Sequence, residues 1–132
     1  MNALFESTKP YSDLVGRVLI AALFVVAGAG KIAAYAATQG YMQSAGVPGG
    51  LLPLVILVEL GGGIAIVLGL YTRLVALLMA GFSIITALLF HMGADQESHI
   101  MLLKNLGLAG GFLFLVGNGA GRLSLDGIRG KK

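Results

Sequence analysis

The sequence predicts an all-α polytopic membrane protein, folded as an antiparallel four-helix transmembrane bundle. Three observations carry that prediction. The 132 residues are 57% hydrophobic and only 11% charged, with a mean hydropathy of +0.90, whereas soluble domains carry about 25% charged residues. Four apolar runs approach the ~20 residues that cross a hydrocarbon core of ~30 Å. Seven of the nine Lys and Arg residues fall on one side of the resulting topology. The spans use nearly the whole chain, so residues 1–132 are read as one domain.

Residues 1–13 read as a short polar lead, with Pro10, Ser12 and Asp13 suiting a helix start. The first span is expected over 14–35. Arg17 near its start is expected to snorkel to the headgroups, and Lys31 lies near the other end. Lys9 before an apolar run and Ala27-Gly28-Ala29 also fit a cleaved signal peptide, but the length of the run and the three spans after it favour a retained helix. A loop over 36–50 follows, with turn chemistry at Gly46-Val47-Pro48-Gly49-Gly50 and a short interfacial helix over 39–45, anchored by Tyr35 and Tyr41.

The second span, 51–70, reads LLPLVILVELGGGIAIVLGL. Pro53 falls in its first turn, where a missing N–H does little harm. Residues 71–73 make a tight connection to a third span over 74–91. A second loop over 92–100 holds Asp95, Glu97 and His99, whose spacing matches no metal site. The fourth span is expected from about 101 to 117, with Lys104 and Asn105 in its first turn, before a basic tail.

Four spans put both termini on one face. Lys9, Arg17, Arg73, Arg122, Arg129, Lys131 and Lys132 fall there; Lys31 and Lys104 lie toward the other. The positive-inside rule then predicts cytoplasmic termini. The same placement at helix ends, without interleaved aromatics, argues against nucleic-acid binding. The partner it does imply is the lipid bilayer. Oligomeric state is left open, although glycine stripes such as Gly61, Ala65 and Gly69 are read as packing within the bundle.

Glu59 is the feature around which the other charges are read. A carboxylate at mid-span costs ~2.5–3.5 kcal/mol on insertion scales, so it normally faces protein or a polar cavity. Helical spacing puts Glu59 on a face with Gly62, Gly63 and Ile66; it puts Arg17, Phe24, Gly28 and Lys31 on another, and Lys104, Gly107 and Gly111 on a third. Counting helix rise, Glu59 lies ~12 Å from the outer end of its span, Lys31 ~7 Å and Lys104 ~5 Å. Lys31 is the expected partner of Glu59, with Lys104 second. His91 stands at the rim. Glu59, Lys31, Lys104, Asn105 and His91 are therefore the candidate cluster, read either as a buried ion pair fixing helix register or as a ligand pocket. No catalytic residue is identified, and enzymatic activity is left open.

The chain has no cysteine, which removes disulfides, thiolate metal sites and thiol nucleophiles. Without thiolates or facing mid-membrane histidines, no haem, flavin or iron–sulfur cluster is expected. Gly28-Ala29-Gly30-Lys31 lacks the strand and the spacing of a phosphate loop.

With Phe24, Gly28 and Gly30-Lys31, Tyr41 and Gly46-Val47-Pro48, Glu59-Leu60-Gly61-Gly62, Gly69 with Thr72-Arg73, His91, Lys104-Asn105 with Gly110-Gly111, and Gly121-Arg122-Leu123-Ser124-Leu125-Asp126, the chain resembles the DoxX family. The likeness is to its short bacterial inner-membrane branch and covers nearly the whole length. The resemblance implies a four-helix domain in the bacterial inner membrane. It also implies an association with redox chemistry, since the family's namesake is a membrane subunit of a thiosulfate:quinone oxidoreductase. Two functions follow from it. One is a quinone-linked membrane component whose Glu59 pocket binds a headgroup or moves a proton. The other is a non-enzymatic partner that docks another membrane or redox protein.

Overall fold

The computed structural model describes residues 2–130; Lys131 and Lys132, counted above among the basic residues, lie outside the described residues. The described chain is all-helical. Its four long helices are α1 (Asn2–Ala33), α3 (Gly49–Leu68), α4 (Thr72–Phe90) and α5 (Gln96–Asn118), each long and apolar enough to cross a membrane. Two short helices complete it: α2 (Tyr35–Ser44) and α6 (Leu125–Ile128). The bundle is two antiparallel hairpins, α1 on α3 and α4 on α5. Phe24 joins them, its ring centroid 5.4 Å from that of Phe112 and 6.5 Å from that of Phe82.

Several element ends differ from the sequence reading. The lead is helical from Asn2, and α1 runs straight through Pro10. Proline removes one i→i−4 bond, but here the freed carbonyl lies on an exposed stretch. The hydroxyls of Ser7 and Thr8 bond back to Leu4 O, and Lys9 pairs with Asp13 one turn on. At 32 residues α1 is about 48 Å long, so its first turns project past the hydrocarbon core. The short helix of the first loop starts at Tyr35, four residues early, after a break at Ala34.

The fourth span also starts early, at Gln96. Asp95 is its N-cap, its carboxylate accepting from Ser98 N at 3.1 Å, which satisfies one of the orphan donors of a first turn. Lys104 and Asn105 therefore lie about 12–14 Å into the helix, not in its first turn, and Glu97 and His99 belong to the helix.

The end of the bundle that carries both termini is closed by two buried charges. Arg17, expected to snorkel, is 1% exposed. A side chain on α1 leans toward the helix N-terminus, which here aims Arg17 at the last turn of α3. Its Nη1 donates to Ile66 O at 3.2 Å and Val67 O at 2.8 Å, and its Nη2 to Leu123 O. The last carbonyls of a helix lack intrahelical partners and carry partial negative charge, so a cation is stabilising there. Gly69, at φ 69°, completes the helix end: Gly69 N bonds Ile66 O and Leu70 N bonds Ala65 O, the paired pattern of a Schellman stop.

Asp126 then caps the next helix. Its carboxylate accepts from Tyr71 N at 2.8 Å and Thr72 N at 2.7 Å, while its own N–H donates to Gly69 O at 2.8 Å. Ser124 holds α6 in place by accepting from Gly127 N at 2.9 Å. Read in the sequence as a basic tail, this segment is part of the fold.

Candidate functional site

The other end of the bundle contains a cavity of about 400 Å³. Its construction begins with the packing of α1 on α3. A Cβ on Gly28 would stand 3.0 Å from both the N and the Cβ of Leu60; one on Gly63 would stand 2.8 Å from Val25 Cγ2 and 3.3 Å from Val25 N. Only glycine lets the backbones come this close. The first of these contacts falls within a π-helical turn that α3 makes over Leu57–Gly61, just before the second. Such turns carry one extra residue and are frequent at functional sites. Glu59 lies within it.

The directions of the side chains then bring the charges together. α1 and α3 are antiparallel, and each side chain leans toward its own helix N-terminus. Lys31 therefore leans into the bundle and Glu59 leans toward the end covered by α2, the lid end. Lys31 Nζ sits 2.7 Å from Glu59 Oε1, with the side chains 28% and 9% exposed. Glu59 is about 15 Å from the start of α3, yet the pair closes because both groups travel toward the same level.

Asn105 faces the cavity from α5. Its Nδ2 donates to Ser83 O at 3.2 Å and Thr86 Oγ1 at 3.1 Å, tying α5 to α4. Both amide protons are used, which leaves its Oδ1 as the acceptor toward the cavity. Asn105, Ala109 and Phe112 are the buried line of this helix. Lys104 is therefore displaced from the inward face on which the sequence reading put it, and it stands exposed at the cavity edge. His91 follows the last turn of α4 at the rim. The cavity thus touches all five candidate residues: Lys31 from α1, Glu59 from α3, His91 from the end of α4, and Lys104 and Asn105 from α5.

The roof is α2, a contribution the sequence reading did not include. Thr38, Tyr41 and Met42 line the cavity. The Tyr41 and Phe90 rings stack with centroids 5.5 Å apart, and Gln39 Nε2 donates to Gly49 O at 3.1 Å, so α2 is tied both to α4 and to the start of α3. The available signal was the i, i+4 spacing of Thr38 and Met42. Thr86 gave none, because a threonine in an apolar span commonly bonds its own backbone, as Thr86 Oγ1 does to Ser83 O at 3.2 Å. The walls are apolar and aromatic, formed by residues such as Phe24, Phe82 and Leu108. Among the described residues no group of three His, Asp or Glu side chains converges to hold a metal ion. The chemistry on offer is a buried carboxylate with an ammonium partner, a second ammonium, an imidazole and an amide oxygen, enclosed by rings.

Comparison with known proteins places this arrangement in context. The model of the DoxX family matches residues 12–92. The chain is 52% identical to inner membrane protein YqjF of Escherichia coli (strain K12) over 120 residues, which is 90% of this chain and 92% of that protein. It is 33% identical to inner membrane protein YphA of the same organism over 138 residues, covering 96% and 99%. No solved structure matches the chain.

Proposed function

The chain belongs to the DoxX family, and from that premise we propose that it is an inner-membrane protein that binds a quinone headgroup in the cavity beneath α2. The observation that carries the reading is the meeting of Glu59, Lys31, His91, Lys104 and Asn105 on one space of about 400 Å³. Ligand pockets commonly span ~300–1,000 Å³, mostly apolar with a few convergent polar groups. A quinone headgroup is a planar ring with carbonyl oxygens. The rings of Phe24, Phe82 and Tyr41 suit its faces, and the ammonium groups of Lys31 and Lys104 suit its oxygens. When bound, it would supply two-electron, two-proton redox capacity. Glu59 is the cavity's carboxylate, so it is the group that can hold or release a proton there, with Lys31 balancing its charge. Two cytoplasmic termini, from the distribution of Lys and Arg, would open the lid end toward the outer side.

One distance favours a second reading. The Lys31–Glu59 pair is already closed at 2.7 Å, so it can serve as a cross-link of α1 to α3 in a non-enzymatic bundle that docks another membrane or redox protein.

The deciding experiment is purification in mild detergent, quinone analysis of the extract, and thermal unfolding with added short-chain quinone. Retained quinone and a raised melting temperature are expected, with the shift diminished in Lys104→Met while the ligand-free melting temperature is unchanged. Absence of quinone together with no thermal shift would leave the docking reading standing.

A further inference from the structure

We propose that a second groove, at the terminal end between α1 and α5, binds the headgroup and one acyl chain of an anionic phospholipid. The groove encloses about 440 Å³ and lies at the opposite end of α1 from the cavity under α2. α1 and α5 approach each other less closely than do the helices within either hairpin; Gly16 on α1 leaves the gap open, while Gly111 on α5 makes room for Ile20.

The groove has two chemically distinct parts. Lys9, Ser12, Asp13, Arg17 and Asn118 make the polar part; Ile20, Phe114 and Leu115 make the apolar one. Phe114 is 75% exposed. Arg17 sits beside the last turn of α3, and Lys9 lies about 12 Å further out along α1, at the level of headgroups. The polar end therefore meets the headgroup region and the apolar end meets acyl chains.

Charge decides the class of lipid. Lys9 pairs with Asp13 at 2.8 Å and cancels it. Arg17 bonds three carbonyls, and among the described residues no carboxylate lies within ion-pair distance of it; its Nε has no partner. Asp13 and, more weakly, Asp126 act on Arg17 from a distance, but Lys9 accompanies the first carboxylate and Arg129 the second. The groove keeps a net charge of about +1, which one phosphodiester with an uncharged headgroup balances. Basic pockets between helices on the cytoplasmic side of a membrane bind anionic headgroups in this way. The apolar floor distinguishes a lipid from a free anion, which would leave Ile20, Phe114 and Leu115 unused.

The test is native mass spectrometry of the full chain in mild detergent, titrated with phosphatidylglycerol, with phosphatidylcholine of the same acyl chains, or with inorganic phosphate. One phosphatidylglycerol should be retained per chain, in preference to phosphatidylcholine. Lys9→Gln, at a side chain half exposed to solvent, should weaken retention about five-fold, the weight of one interfacial basic residue. Gly16→Leu should abolish retention without lowering the lipid-free melting temperature, because a Cβ at Gly16 meets nothing within 4 Å, a leucine favours the helix more than a glycine does, and the longer side chain enters the groove. Equal retention of the two lipids overturns the proposal. So does phosphatidylglycerol retention unaffected by Lys9→Gln and Gly16→Leu, or inorganic phosphate competing as well as the lipid.

Discussion

Arg17 and Asp126 grip the same interhelical turn from opposite sides. Arg17 donates to the carbonyls that end α3, and Asp126 accepts from the N–H groups that begin α4, with only Gly69 and Leu70 between those two helix ends and the Tyr71 N–H. Each charge meets a helix end of opposite polarity. Neither residue touches the cavity under α2, so their contribution is to fix the turn from which α3 and α4 start toward it.

Asp126→Asn should therefore lower stability by ~1–3 kcal/mol, because an amide nitrogen would face one of two backbone donors and leave it unsatisfied. Burial pushes the Asp126 carboxyl up, but the donors of Thr72 and Tyr71, with Arg129 nearby, outweigh it and hold the group below the ordinary carboxylate range. A depressed folded-state pKa stabilises above the unfolded value of ~3.9 and loses that contribution as pH falls further. Thermal unfolding in detergent should show the wild type losing stability below about pH 4, with that part missing in Asp126→Asn. Identical acid profiles would show that the carboxylate does not hold the turn.

Gly28 and Gly30 differ by two positions and should respond oppositely to alanine. At Gly28 the added carbon meets the Leu60 backbone at 3.0 Å; at Gly30 it meets nothing within 4 Å. Gly28→Ala should cost ~1–3 kcal/mol through overpacking, offset in part by the ~1 kcal/mol gained by removing a glycine from a helix. Gly30→Ala gains the propensity alone. Melting temperatures should move down for the first and up for the second. If both rise, α1 and α3 are not in close contact at Leu60.

The spans were legible from hydropathy and helical spacing, and Lys31 as the expected partner of Glu59 from depth counted by helix rise. Lys31 is seven residues from Phe24, and hydropathy alone marks a 20-residue run. The early start of α5 was not, because Asp95 acts as a cap and polar residues 96–99 read as loop until that cap is seen. The burial of Arg17 was not legible for a different reason. A cation near a helix end can reach headgroups or another helix's C-terminus, and only the tertiary position of Ile66 and Val67 decides which. The fold-back of Ser124 and Asp126 likewise depends on a turn more than 50 residues away. The π turn at Glu59 left no mark in the pattern, since one extra residue in a uniformly apolar stretch changes no apolar count.

Topology can be read chemically. The chain has no native cysteine, so single cysteines at Glu6 and Gln43 report on their own sides. An impermeant thiol reagent applied to intact cells should label Gln43→Cys and leave Glu6→Cys unmodified until the membrane is opened. The reverse pattern would invert the bundle and move the lid end to the cytoplasm.

The Lys31–Glu59 pair makes an asymmetric prediction. Lysine near the end of α1 can turn toward headgroups once Glu59 is gone, whereas Glu59, far deeper, has no such exit. Stranding one member of a buried pair costs ~3–5 kcal/mol. Lys31→Met should therefore be more damaging than Glu59→Gln, and both more than Glu97→Gln, which removes an exposed carboxylate from the first turn of α5. The double variant Lys31→Met with Glu59→Gln leaves no stranded charge, so part of the lost melting temperature should return. A coupling of ~0.5–3 kcal/mol is expected from the cycle. Additive losses would show that the two groups do not depend on each other, whatever their 2.7 Å separation. Quinone retention separates cross-link from ligand site. In the docking reading the double variant recovers stability and no quinone binding is at stake. In the quinone reading stability returns while retention does not, because the cavity has lost its carboxylate and one of its two ammonium groups.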